Sequence, residues 1–311
     1  MESMLHWLSN AMWYRLRPAQ PQARVMWRFS DGSPVPDDGK RHADPGNPCN
    51  TVKIVKDKMP PEVVNGIIIG RGNIACIGTV DETTVLKFPQ DDDDEFLEAM
   101  HIERQILTHL GDHPRIIRYL GYSSNGTYLR RAENGDLETF IKNSGLEDLP
   151  TGVQTKWVRQ LLEGVTYIHL MGIIHCDLGP RNVLVDKDLN LVLSDFGGSY
   201  FKAKQLDGKA LESVRYCLPR DYEQPSTIRS DLFALGCTIY FVLAGRHPYE
   251  SEEEAEVQKL YENGHFPATD TISLGTIISD CWTGNVESAA DLLDQLKVHM
   301  KRRQIQAAMA G

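Results

Sequence analysis

Between residues 63 and 89 apolar side chains arrive in three short bursts, "VVNGIIIG" (63–70), "NIACIGTV" (73–80) and "TTVLKFP" (83–89). Short runs rich in Val, Ile and Thr predict strands, and Asp81-Glu82 predicts a tight turn between the second and third. The period then changes. Over 92–110 Phe96, Met100, Glu103, Leu107 and Leu110 recur at spacings of four and three, which predicts a helix. Its acidic start suits the positive end of a helix dipole, and Gly111 stops it. Folded structure is expected from about Thr51, because residues 31–50 are rich in Pro, Gly and Asp and read as a linker. From Gly135 onward helical patterns dominate, broken by a β-rich stretch at 173–196. Within it "GIIHCDLGPRNVLVD" (172–186) sets two apolar runs around a polar loop, the kind of place where chemistry sits. No internal repeat is visible. A mostly β first part and a mostly helical second part predict an α+β chain of two unlike lobes with a cleft between them.

The longest apolar stretch, Leu232 to Ala244, has thirteen residues. A bilayer needs about 20, so it predicts a buried helix and no transmembrane segment. With 311 residues, 41% hydrophobic and 24% charged, the chain is of the globular type. Its net charge of −10 disfavours nucleic acid or anionic lipid as partners. The six cysteines (49, 76, 176, 217, 237 and 281) form no C-x-x-C pair, which predicts reduced thiols in an intracellular, cytoplasmic or nuclear protein. Against that, the first 28 residues carry Arg15, Arg17, Arg24 and Arg28 and a single acid, Glu2, so an organellar presequence or a surface-binding helix stays open.

Two charges stand in apolar settings. Glu103 interrupts the helix stripe and Lys87 shares a strand face with Val85, so the economical arrangement pairs them. Alone, such a pair is more often structural than functional. Gly70 and Gly72, between two strands, would let backbone amides approach phosphate oxygens. No strand-to-helix transition follows them, which excludes a dinucleotide fingerprint and a P-loop. Asp177 and Asn182 stand five apart, and "LVLSDFGG" adds Asp195 thirteen residues later. An amide oxygen and a carboxylate on adjacent strand ends suit a hard cation such as Mg²⁺, with Asp177 left to orient or deprotonate a hydroxyl.

Taken in order, these motifs resemble the signature set of protein kinases over residues 64–300. "TVLK" is similar to the lysine strand, "ERQIL" to the helix αC motif, "HPRIIRYLGY" to the following connection and "AENGDLETFI" to the segment after the hinge. "HCDLGPRN" matches H-R-D-x-x-x-x-N, "DFG" is intact, and "SDLFALGC" resembles the start of helix αF. The resemblance implies a protein kinase-like bilobal fold, a β-rich N-lobe with helix αC at 51–132 and a mainly α-helical C-lobe at 133–302. Residues 1–50 would be a partly disordered extension and 303–311 a tail. It further implies ATP and Mg²⁺ as cofactors and a protein substrate. Lys87 would hold phosphates and be fixed by Glu103, Asn182 and Asp195 would bind Mg²⁺, and Asp177 would receive the acceptor hydroxyl. Gly70, Gly72, Ile77, Val85, Leu129, Ala132, Asp136 and Leu184 would form the ATP pocket, with Leu129 as gatekeeper and Asp136 on the ribose. Leu107, Tyr119, His175 and Phe196 would form a regulatory apolar stack.

The chain also departs from that pattern. Ala75 replaces the third glycine. Cys176 replaces the arginine before the catalytic aspartate, which implies activity without activation-loop phosphorylation, because no buried cation then needs a phosphate; a redox-sensitive thiol is the alternative. "LPR" (218–220) replaces A-P-E, and the arginine that usually pairs with that glutamate is missing near Ser288 and Ala289. Gly179 stands where Ser/Thr kinases keep a lysine, while Arg181 and "VRY" (214–216) resemble tyrosine kinases and Ser213 resembles Ser/Thr kinases. Ser/Thr transfer is the first expectation, with Tyr or dual specificity behind it. Ser199, Tyr200 and Ser213 are candidate autophosphorylation sites, and the acids of 251–256 a docking surface for basic substrates or a solvated helix face. A pseudokinase scaffold and a small-molecule kinase are the competing readings. The sequence does not set the oligomeric state.

Overall fold

The computed structural model describes residues 24–28, 55–72, 74–90, 93–221 and 224–310. The linker at 31–50 lies outside them, as do the first 23 residues and Cys49. One element precedes the expected onset of structure: β1 (Arg24–Arg28) pairs antiparallel with β2 (Val55–Met59).

A five-stranded antiparallel sheet follows, in the order β3-β4-β5-β7-β6. Its strands are β3 (Ile68–Arg71), β4 (Ala75–Thr79), β5 (Thr84–Pro89), β6 (Tyr119–Ser123) and β7 (Gly126–Arg130). The first burst of the sequence is a strand only in its second half, because Val64–Gly66 forms a 3₁₀ turn with Asn65 at φ 53°. The turn at Asp81 forms as expected, the Asp81 carboxylate accepting from the Thr83 amide at 2.8 Å. Gly126 permits the tight crossing of β7 over β5: a Cβ there would fall 2.3 Å from the Lys87 carbonyl oxygen.

Helix α1 (Asp94–Leu110) packs on this sheet. Asp93 caps its start by accepting from the Glu95 amide at 3.0 Å, and the Gly111 amide closes its end on the Leu107 carbonyl. Met100, Glu103, Leu107 and Leu110 are buried along one stripe, the face read from the spacing.

The second lobe is built on α2 (Leu137–Ser144), α3 (Val153–Leu170), α4 (Ile228–Ala244), α5 (Glu254–Glu262), α6 (Gly275–Thr283) and α7 (Ala289–Ala310). The last helix runs past the boundary drawn at 302. The apolar run 232–244 is the buried body of α4, which starts four residues earlier at a Thr227–Ser230 capping box. Among the described residues no helix is long and apolar enough to cross a membrane. Short strands fill the cleft side: β8 (Ile173–Ile174), β9 (Val183–Val185), β10 (Leu191–Leu193), β11 (Tyr200–Phe201) and β12 (Leu206–Asp207). β9 pairs antiparallel with β10, which puts the loop before β9 and the loop after β10 at one end of a single ribbon. One apolar core joins α1, the inner face of the sheet and the helices of the second lobe, so the two lobes share an interior and the cleft is a groove in its surface.

Candidate active site

Lys87 points from β5 toward α1, as strand alternation beside Val85 and Leu86 requires. Its Nζ lies 2.9 Å from the Glu103 carboxylate and 2.7 Å from Asp195 Oδ1. Glu103 is 1% exposed and also accepts from the Phe196 amide at 3.2 Å, so one carboxylate ties β5, α1 and the segment after β10 together. Burial alone would depress the Lys87 pKa, but the charges of Asp195 and Glu103 outweigh it and hold the ammonium above its ordinary value. Burial raises Glu103, against the pull of Lys87. Asp195 is held below the usual carboxylate range, first by the charge of Lys87. The Asp195 side chain is 53% exposed and therefore opens on the cleft.

The polar loop between β8 and β9 faces the same cleft. Asn182 donates through Nδ2 to the Asp177 carbonyl at 2.7 Å and to its Oδ2 at 2.9 Å. This leaves the amide oxygen of Asn182 as the atom able to meet a cation. Burial pushes the Asp177 carboxyl up to about 7, against the Asn182 hydrogen bond and helped by the nearby charge of Asp195. A carboxylate poised near neutrality suits a group that takes a proton from a hydroxyl.

Asp195 and Cys176 both hold positive φ, 62° and 67°. Left-handed backbone at non-glycine residues costs of order 1 kcal/mol and collects at working sites. Asp231 of α4 holds the Cys176 strain in place: its carboxylate, wholly buried, accepts from the His175 amide at 2.7 Å, the Cys176 amide at 3.0 Å and pairs with His169 Nε2 at 2.9 Å. The sequence reading passed over Asp231 as a working residue, although the reasoning that found Glu103 applies to it: a carboxylate inside an apolar helix needs donors. Cys176 itself is buried, and burial pushes its thiol pKa up. This corrects the redox alternative, since a reactive cysteine needs an accessible, easily ionised thiol.

The expected ATP-pocket residues fall on or beside β3, β4, β5, β7, β9 and the segment leading into α2. Val85 and Leu129 are cross-strand partners and buried, Ile77 is the partner of Lys87, and Ile77 and Leu184 are half-buried against the same core. Asp136 bridges to Leu184 and caps α2 by accepting from the Thr139 amide at 2.8 Å. Ala132 is half-buried between β7 and α2. Gly70 and Gly72 sit at the β3–β4 tip; a Cβ at Gly72 would meet nothing nearer than 3.7 Å. Packing therefore does not require glycine at position 72. Of the apolar stack, His175 and Phe196 are wholly buried with ring centroids 5.1 Å apart, Leu107 is buried and Tyr119 packs on the same core.

Arg181, expected beside Asp177 in the catalytic set, directs its side chain to another carboxylate. Its Nε bonds the buried Glu138 at 2.9 Å while its side chain is 80% exposed. Ser199 is corrected as an acceptor, because it is wholly buried and donates to the His175 carbonyl. Arg220 finds an acid the sequence did not identify, Glu212, at 3.1 Å.

The protein-kinase-domain family model matches residues 64–309. The chain belongs to the protein kinase family. Its relatives include the cell division control protein 7 of Schizosaccharomyces pombe, 29% identical over 217 residues, covering 68% of this chain and 20% of that protein. The serine/threonine-protein kinase GIN4 of Saccharomyces cerevisiae is 29% identical over 230 residues, 68% of this chain and 19% of that one. The human receptor-interacting serine/threonine-protein kinase 1 is 26% identical over 223 residues, 62% of this chain and 33% of that one. This kinase chain thus spans a fifth to a third of the length of these relatives. Its bilobal fold, β-sheet N-lobe and helical C-lobe are those of the family.

Proposed function

We propose that this kinase transfers the γ-phosphate of ATP to serine or threonine hydroxyls of protein substrates, and does so without a phosphorylated activation loop. One observation carries the reading: Lys87 Nζ touches both Glu103 and Asp195, at 2.9 and 2.7 Å, in the cleft that holds Asp177 and Asn182. Lys87 is then placed to hold phosphate oxygens, and Glu103 to keep its stem still. Asp177 accepts the proton of the acceptor hydroxyl, and Asn182 keeps the Asp177 carboxylate in one orientation. Asn182 and Asp195 would hold Mg²⁺, which supplies charge neutralisation at the phosphates when bound. The donor set is of the right kind: an amide oxygen and a carboxylate, with the Asn182 backbone carbonyl bonded by the amide of Ser194 just before Asp195, and Mg²⁺ bound with nucleotide needs only one or two protein oxygens beside the phosphates.

The serine/threonine preference draws on the names of two relatives and on Ser213; Arg181 and the 214–216 turn keep tyrosine or dual specificity as the second reading. Independence from phosphorylation draws on Cys176, whose neutral buried side chain presents no cation for a phosphate to meet. Five buried cysteines without a disulfide support work inside the cell.

The test is transfer of labelled γ-phosphate to a generic protein with Mg²⁺, comparing wild type with Asp195→Ala. Transfer by the wild type alone, located on serine and threonine by phosphoamino-acid analysis, is the expected result. Equal background counts from both would establish the scaffold reading instead.

A further inference from the structure

In the kinase pattern a glutamate at position 220 pairs with an arginine far along the chain, and this protein has lost both. The structure shows what replaced them. Arg220 Nη2 meets Glu212 Oε2 at 3.1 Å and Ser226 Oγ at 2.9 Å, and its Nη1 lies 3.5 Å from the Leu218 carbonyl oxygen. The Glu212 side chain is wholly buried and that of Arg220 nearly so, and the Cys217 thiol donates to the same Glu212 carboxylate at 3.6 Å. Both partners lie in one stretch of nine residues, so the pair closes a loop on itself where the family pattern ties the loop to a distant helix.

That loop carries the 3₁₀ turn Val214–Tyr216, and the turn is fastened to its surroundings. The Tyr216 hydroxyl meets His247 Nδ1 at 2.8 Å, and the Tyr261 hydroxyl donates to the Arg215 carbonyl at 3.1 Å. The Tyr216 ring covers Gly179, two residues after Asp177: a Cβ on Gly179 would lie 3.8 Å from it. The loop is therefore one wall of the space in front of the proton acceptor.

We propose that Glu212 and Arg220 form a clamp that holds the 212–220 loop against the catalytic loop and so positions the acceptor segment of the protein substrate. They are positioning residues for the acceptor and have no part in holding ATP. A buried ion pair is seldom the most stabilising choice, since apolar side chains of similar volume do as well or better. What it adds is one required geometry, which a substrate-facing wall needs. The inference rests on the kinase activity proposed above for its kinetic arm, and stands on exchange measurements for the rest.

The experiment uses the full chain as wild type, Glu212→Gln, Arg220→Met, the double variant and Arg220→Lys, which keeps the charge should the Met variant fail to fold. Steady-state transfer is measured with ATP or the protein acceptor varied, and hydrogen exchange is followed over 212–220. Each neutralising single variant should lower kcat/KM for the acceptor by about tenfold or more while KM for ATP stays within about twofold. Its 212–220 amides should exchange faster, with α1 amides unchanged. The double variant, which leaves no unpaired buried charge, should be better than the worse single one, and Arg220→Lys should lie nearest wild type. Wild-type exchange over 212–220 in both single variants overturns the clamp. So does a parallel loss of ATP and acceptor affinity, which marks a merely structural pair. If wild type transfers nothing while exchange quickens in the variants, the clamp holds and the proposed activity is what falls.

Discussion

Asp177 and Cys176 are neighbours with opposite tasks. Burial chiefly raises the Asp177 carboxyl from 3.8 to about 7, so its basic form predominates only above neutrality. Transfer is expected to fall about tenfold per pH unit below pH 7, and a pH–rate profile of kcat/KM checks it. Asp177→Asn should abolish that limb and lower transfer by about 10²–10⁴-fold. The same shift has a sign for stability. A carboxyl that binds its proton more tightly when folded stabilises the fold fully below its unfolded value, and this contribution is lost as pH rises through about 7. The Asn variant should thus unfold at a temperature no lower than wild type at pH 8, a combination of lost activity and kept stability that thermal unfolding would show. Cys176 contributes geometry: a small side chain in left-handed backbone, while Asp231 accepts from its amide and from that of His175.

Between elements, the Lys87–Glu103 pair is a strut from β5 to α1, and the Phe196 amide on Glu103 extends it to the segment after β10. Removing one partner of a buried pair costs about 3–5 kcal/mol, because the other charge is left without a counter-ion. Lys87→Met is therefore expected to lower both transfer, by orders of magnitude, and the unfolding temperature. Adding Glu103→Gln should return most of the unfolding temperature and none of the activity. Calorimetry beside a transfer assay separates the two, and activity in the double variant would break the role given to Lys87. The helix itself was legible in the sequence because its stripe, its acidic start and Gly111 agree. The first burst was half misread because Asn65-Gly66, in its middle, makes a turn that leaves only the Ile run as strand.

At the scale of the whole molecule, Lys87, Glu103 and Asp195 join the two lobes at one point, and the loop before α4 is held by an internal pair. Because Cys176 offers no cation for a phosphate to meet, phosphatase treatment is expected to leave activity unchanged. A large drop in specific activity after treatment, with loss of phosphate confirmed by mass spectrometry, would refute the argument from Cys176. The charge of −10 and the absence of a membrane-length helix among the described residues are also properties of the whole.

Type and order of elements were set by local pattern, and the family was written in short motifs whose residues stand close together in the chain. The Lys87–Glu103 contact could be read because each charge sat in an apolar stripe and needed the other. What lay beyond the sequence were contacts whose partners carry no such mark. Glu212 stands in an unremarkable polar run, and only folding buries it beside Arg220. Arg181 is four residues from Asp177, yet its direction was decided by Glu138 in the first turn of α2, whose amide also bonds the Pro180 carbonyl. Sequence spacing constrains which side chains share a face, whereas the choice among several available counter-charges is made by packing, which excludes water from one candidate and leaves the others solvated.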